Sequence, residues 1–100
     1  MYAHVTTLQL RPHKMDEALH IYQHQIVPFV QQQEGCRFVT LLSDLTSEQL
    51  IAICWWECEA DLVAGQMGSD YQQHLAEIQP TLRTLPVSAS YQVSLQVAPI

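Results

Sequence analysis

The chain has 100 residues, of which 48% are apolar and only 14% are charged. This composition suffices for one buried core, and we expect a single domain over residues 1–100. The net charge of -6 opposes binding to nucleic-acid backbones and to anionic membrane surfaces. No stretch approaches the ~18 apolar residues of a membrane span, and the first residues lack the basic and apolar regions of a signal peptide.

The three cysteines, Cys36, Cys54 and Cys58, are odd in number and form no C-x-x-C pair. This pattern argues against a disulfide scaffold and against a zinc-ribbon site. We interpret them as small apolar residues in a reducing compartment, and we expect a cytoplasmic protein.

The first segment, residues 2–10, alternates loosely in polarity and predicts a strand that ends at Arg11-Pro12. From His13 to about Gln33 the apolar residues follow a helical period. Pro28 lies inside this pattern. Because a proline within a helix removes a backbone donor, we expect a kink or a frayed turn near Val27.

Glu34-Gly35 predicts the end of this helix, and a second strand should follow from Cys36 to about Ser43. The polar residues 44–48 then form a turn long enough for an antiparallel hairpin. The next strand, Leu50–Cys58, is apolar on both faces, which indicates that both faces are covered. It ends on two adjacent tryptophans, and its period leaves open which of Trp55 and Trp56 faces the helices.

A second helical region opens after Cys58 and is interrupted by Gly65 and Gly68. Ser69-Asp70 offers a fresh helix start, and the helix should run to about Gln79. Residues 88–97 alternate regularly in polarity and predict a final, half-buried strand.

The predicted order is β-α-β-β-α-β, the ferredoxin-like α+β arrangement of a four-stranded antiparallel sheet with two helices on one face. The helices can cover only one side of the sheet. An apolar second face is too large a patch for a monomer, so we expect a homodimer that pairs its sheet faces.

Two groups of histidines are candidates for chemistry. The series His13, Glu17, His20 and His24 lies opposite the apolar stripe of its helix, so we expect a solvated surface and no metal site. His74 instead lies at the flank of its helix, where it can point into a cleft between helix and sheet.

His74 is therefore either a hydrogen-bonded residue at the edge of the core or a proton-transfer residue. His4, in the middle of the first strand, has the same two interpretations. Whichever tryptophan faces the helices would line a flat cavity suited to an aromatic substrate.

The segment Trp56-Glu57-Cys58-Glu59-Ala60-Asp61-Leu62, together with the order of elements, resembles the antibiotic biosynthesis monooxygenase (ABM) family of the dimeric α+β barrel superfamily. The resemblance covers almost the whole chain, including Gly35 and Tyr71. It implies paired sheets and a pocket in each protomer between sheet and helices. The family includes cofactor-free oxygenases of quinols and polycyclic aromatics, haem-degrading enzymes, and small proteins without an established reaction.

The sequence departs from the family pattern at three places. Gly65, nine residues after Trp56, stands where many relatives carry histidine and the haem-degrading branch carries tryptophan. The first strand has His4 and threonines where the haem branch has asparagine. His74 lies one position before the histidine of the haem branch. The resemblance therefore gives haem degradation little support.

These observations predict a cofactor-independent monooxygenase that acts on a small aromatic or quinol-like substrate. His74 is the predicted proton-transfer residue, Trp56 the predicted pocket wall, and His4 and Tyr71 the predicted orienting groups. The principal alternative is a non-catalytic dimeric ligand-binding or regulatory module, which Gly65 favours; haem binding is the weaker alternative.

Overall fold

The computed structural model describes residues 1–99, which form four strands and a series of short helices. The strands are β1 (Tyr2–Gln9), β2 (Cys36–Asp44), β3 (Gln49–Trp56) and β4 (Val87–Gln92). The helical elements are α1 (Met15–Ile21), a π-helical segment (Tyr22–Ile26), α2 (Val27–Gln31), α3 (Glu59–Gln66), α4 (Ser69–Leu75) and a 3₁₀ helix (Ala76–Thr81).

The four strands form one antiparallel sheet in the order β2-β3-β1-β4, and the helices pack on one of its faces. The ferredoxin-like fold predicted from the sequence is therefore confirmed. Gly35, between α2 and β2, has the left-handed φ of 83° that glycine adopts readily. A side chain there would also collide with the carboxylate of Asp61.

Strand β3 lies in the interior of the sheet, between β2 and β1. Its helix-facing residues are buried: Leu50, Ala52, Cys54 and Trp56. Its other residues, among them Trp55, are half-buried on the opposite side, which we call the open face. The structure thus places Trp56 under the helices and Trp55 on the open face.

The first helical region contains a π-helical turn just before Pro28. The Val27 amide donates to the carbonyl of Tyr22, five residues earlier, as in a π-helix. Helix α2 then begins at Val27, so Pro28 occupies its first turn, where no intrahelical donor is required. The irregularity predicted near Val27 is present, and its form is a π-helical segment.

The last strand is shorter and more exposed than the sequence predicts. β4 ends at Gln92, and all six of its residues are exposed. It pairs only with β1, which begins at Tyr2. The last hydrogen bond between the two segments is the one that the Val93 amide donates to the Met1 carbonyl, at 2.9 Å. The predicted extension to Val97 is therefore wrong, because the alternating residues beyond Val93 have no neighbouring strand to bind.

Among residues 1–99, no helix is both long enough and apolar enough to cross a lipid bilayer.

Candidate functional site

His4 lies on β1 with its side chain directed beneath the helices. It is opposite Cys54 in the β1–β3 register and only 6% exposed. Its Nδ1 lies 2.8 Å from Ser90 Oγ on β4. Burial lowers the pKa of His4 below its usual value, so the ring is neutral at pH 7. In the tautomer whose Nδ1–H donates to Ser90, Nε2 is free to accept a proton.

A second polar pair lies one rung along the same two strands. The hydroxyls of Thr6 and Ser88 are 3.1 Å apart, and Thr6 is buried. The pairs His4–Ser90 and Thr6–Ser88 thus form a polar strip across β1 and β4 on the helix-facing side of the sheet. The strip orients His4 through the serine hydroxyl.

A surface cavity of about 240 Å³ adjoins this strip. Most of its wall is apolar, and Ser90 and Glu59 are among its polar lining residues. The lining residues are Tyr2, Glu59, Leu62, Val63, Met67 and Ser90. Because Ser90 contacts both the cavity and His4, a ligand in the cavity would lie beside the polar strip.

Trp56 fills the space between the sheet and α3. Its indole Nε1 donates to Gln66 Oε1 at 2.7 Å, and both side chains are buried. The ring also lies against Gly65, where an added Cβ would stand 2.7 Å from Trp56 Cζ3. Gly65 is therefore required by the position of the Trp56 ring, which occupies the volume that a larger residue 65 would need.

Two tyrosines bring hydroxyl groups into the same buried layer. Tyr22, from the π-helical segment, is 1% exposed, and its hydroxyl lies near that of Tyr71 without a hydrogen bond of ordinary geometry among residues 1–99. Burial, reinforced by the neighbouring Tyr71, raises the pKa of Tyr22 well above its usual value. Burial and then Cys54 raise the pKa of Tyr71, while contacts from Tyr22, Gln66 and Thr6 oppose that rise. Both phenols are protonated at neutral pH and can donate hydrogen bonds.

Cys54 lies in the same layer and is unreactive. Burial, with a smaller contribution from Cys36, raises the pKa of Cys54 to about 12. A thiol with this pKa is almost entirely protonated at pH 7 and is a poor nucleophile. Cys54 therefore acts as part of the packing.

His74 packs between helices. It is half-buried on α4, and its ring stacks on Phe29 of α2 with a centroid distance of 4.3 Å and an interplanar angle of 26°. The structure thus places the two predicted histidines differently, with His4 facing the helix-covered layer and His74 facing a neighbouring helix.

Three of the four predicted site residues, His4, Trp56 and Tyr71, share the helix-covered layer. Sequence reasoning missed Gln66, Tyr22 and Ser90. Gln66 follows Leu62 at helical spacing, which was the available signal that it faces inward. The partnership of His4 with Ser90 joins residues 86 positions apart and depends on the strand register.

The polar series of the first helix is solvated, as predicted. His13, Glu17, His20 and His24 are all exposed. Within residues 1–99, no three histidine, cysteine or acidic side chains stand close enough together to hold a metal ion.

Comparisons with known proteins connect this geometry to solved structures. No protein-family model and no curated protein matches the chain. A monooxygenase from the gene ActVA-Orf6 of Streptomyces coelicolor, in complex with nanaomycin D, superposes with a TM-score of 0.82 at 14% identity, covering 99% of this chain and 92% of that one.

Two further structures agree. SnoaB, a cofactor-independent oxygenase from Streptomyces nogalater, gives a TM-score of 0.80 at 12% identity over 98% of this chain and 97% of that one. An antibiotic biosynthesis monooxygenase gives 0.75 at 16% identity, covering 95% of this chain and 100% of that one. The resemblance inferred from the sequence is thus confirmed at the level of structure, and the chain has the fold of the antibiotic biosynthesis monooxygenases.

Proposed function

We propose that this protein is a cofactor-independent monooxygenase of a small aromatic or quinol-like substrate. The main support is His4, a buried and neutral histidine that contacts the wall of a cavity through Ser90. The named functions of the structural neighbours, one of which is a cofactor-independent oxygenase, favour the same chemistry. The cavity, at about 240 Å³, suits a small ligand.

In the proposed reaction His4 Nε2 accepts a phenolic proton from the substrate. The substrate anion supplies electrons to O₂ and a carbon–oxygen bond forms, and the resulting peroxide takes the proton back from His4 to give a hydroperoxide. Loss of water from the hydroperoxide leaves one oxygen atom in the product as a carbonyl group. The protein needs to supply a base, an apolar pocket and hydrogen-bond donors for the developing oxyanion.

Tyr22 and Tyr71 are the proposed donors. The hydroxyl of Tyr22 is the stronger candidate, because it makes no hydrogen bond of ordinary geometry within the described part of the chain. Tyr22 does not line the cavity beside Ser90, so a substrate oxygen would reach it only after a local opening of the helices. Trp56, covered by Gly65 and Gln66, would become a wall of the pocket only after a local opening of α3.

We further propose a cytoplasmic homodimer that pairs the open faces of two sheets. The open face carries exposed or half-buried apolar side chains on every strand, including Val5, Phe38, Leu42, Ile51, Ile53, Trp55, Val87 and Tyr91. A continuous apolar surface of this kind is typical of a protein interface. The odd number of cysteines, all of them free, suits a reducing compartment.

The activity can be tested with a panel of hydroquinones and anthrones, by measuring oxygen consumption and product absorbance. We expect turnover only under aerobic conditions, with a rate that rises with pH and then levels off. Because burial lowers the pKa of His4, the midpoint of this rise should lie below the pKa of an ordinary histidine. His4→Gln should lower kcat by about 10²–10⁴-fold, the usual contribution of a general base.

His74→Ala is the matched comparison. If His74→Ala abolishes turnover while His4→Gln retains it, the proton acceptor is His74, as the sequence alone suggested. Equal rates in the wild type and both variants would contradict a histidine base, and no oxygen-dependent turnover with any compound would contradict the proposed function.

The second candidate function is a non-catalytic ligand-binding module. The filled interior favours it, since Trp56, with Gly65 and Gln66, occupies the space between α3 and the sheet. Saturable binding of an aromatic compound without oxygen consumption would support this alternative. Haem binding, which the sequence disfavours, would give a Soret band on titration.

A further inference from the structure

The acidic chain has four lysine and arginine side chains, of which two form ion pairs with other described residues and two do not. Lys14 lies 3.2 Å from Glu17, and Arg37 forms an ion pair with Glu57. Within residues 1–99, Arg11 and Arg83 have no acidic partner. Both of these arginines line the same cavity, of about 330 Å³.

The backbone holds the two arginines at a fixed junction between the end of β1 and the end of the 3₁₀ helix. The Arg11 amide donates to Thr81 and the Arg83 amide donates to Gln9, each at 2.8 Å. Arg11 Nε also donates to the Leu82 carbonyl at 2.9 Å, which fixes its guanidinium and leaves the terminal nitrogens available. Arg83 makes only a long contact, 3.4 Å, with Gln9 Oε1.

An apolar cavity of about 180 Å³ adjoins the arginine cavity. The two share Gln79, Leu82 and Leu85 as a common wall. Leu85 is 80% exposed, so its side chain is free to contact a bound ligand. The remaining walls of the apolar cavity are Gln72, Leu75, Ala76 and Pro86.

We propose that the two cavities form one groove that binds a small organic carboxylate with an apolar tail. The guanidinium groups of Arg11 and Arg83 would hold the carboxylate, and the tail would lie against Leu82 and Leu85. The net charge of -6 opposes the binding of a large polyanion more strongly than that of a single carboxylate. The groove shares no lining residue with the cavity beside Ser90 and does not depend on the proposed oxygenase activity.

The test uses octanoate as the probe, with binding measured by calorimetry and by amide chemical shifts. We expect saturable binding at millimolar or lower concentration, with the largest shifts at Gln79, Thr84 and Leu85. Arg83→Gln should weaken binding by about tenfold or more, since it removes one of two charges from the site. Arg37→Gln removes the same charge elsewhere and should leave the affinity unchanged.

Two further ligands separate the charge from the tail. Octanamide keeps the tail without the charge, and acetate keeps the charge without the tail, so both should bind at least about tenfold more weakly than octanoate. Leu85→Ser should weaken octanoate without affecting acetate. Equal loss in Arg83→Gln and Arg37→Gln, equal binding of octanamide, or no saturation would overturn the proposal.

Discussion

At the scale of single residues, Gly65 and Trp56 determine how the interior is filled. Relatives of the resembled family place a histidine or tryptophan at the position of Gly65, whereas this protein brings a tryptophan to that space from β3. The indole N–H donates a hydrogen bond to the side-chain oxygen of Gln66. The space between the sheet and α3 is therefore filled by an aromatic side chain that β3 supplies.

Gly65→Ala tests this packing. Alanine should raise helix stability by up to about 1 kcal/mol on propensity alone. The added Cβ would overlap the Trp56 ring, so we expect a net loss of about 1–3 kcal/mol in the free energy of unfolding, measured by urea denaturation.

Gly68→Ala is the control for this prediction. A Cβ on Gly68 would meet only the Ala64 carbonyl oxygen, at 3.9 Å, so the change should stay within about 1 kcal/mol. In a Trp56→Phe background the additional cost of Gly65→Ala should shrink, because the smaller ring leaves room. Equal effects of the two glycine substitutions would contradict the assigned packing.

At the scale of elements, the π-helical segment allows the first helical region to contain Pro28 and still bury Tyr22, Ile26 and Val30 along one side. Residues four apart on an α-helix drift by about 40°, so Tyr22, Ile26 and Val30 would rotate away from the sheet by about 80° in all. The wider turn removes part of this drift, and all three residues are 1% exposed. The segment thereby directs Tyr22 into the helix-covered layer.

Pro28→Ala should change the free energy of unfolding by less than about 1 kcal/mol, because Pro28 lies in the first turn of α2, where its missing donor is not required. A proline in a helix interior would instead cost about 3 kcal/mol, which its removal would recover. Gln25→Pro, within the π-helical segment, should lose about that amount. A large gain from Pro28→Ala would show that the proline strains the helix.

The alternation of β1 and β3 predicted that successive residues point to opposite sides of the sheet, but it left open which side the helices cover. In the structure the helix-covered side of β3 is the one that carries Trp56. The alternating polarity of residues 88–97 predicted a strand that is too long. Strand pairing depends on the neighbouring strand, and β1 offers no partner beyond Met1. The site was only partly predictable for the same reason. Position placed His4 on a face, but the contact with Ser90 required the register of β4.

At the scale of the whole molecule, the sheet is covered on one face only. The open face includes Phe38 at 58% exposure and Val87 at 68%, on the two edge strands. The edge strand β4 has no residue buried by its own chain. Both features agree with the proposed second copy of the sheet.

Sedimentation equilibrium should therefore show a dimer at micromolar concentration. Val87→Glu places a charge on the open face and should weaken the dimer by at least about tenfold, since an unpaired charge would be buried there. Leu45→Glu makes the same change on the exposed hairpin turn, where Leu45 is 75% exposed, and should remain dimeric. A monomeric wild type, or equal weakening by both variants, would contradict the open-face dimer.

The two adjacent tryptophans of β3 point to opposite sides of the sheet. Trp56 is completely enclosed and hydrogen-bonded beneath α3, whereas Trp55 is half-buried on the open face. Since these are the only two indoles in the sequence, the protein carries one intrinsic fluorophore for each side. Emission from Trp56 should report changes under the helices, and emission from Trp55 should report the proposed association of the open face. Replacing one tryptophan with phenylalanine makes the other side separately observable.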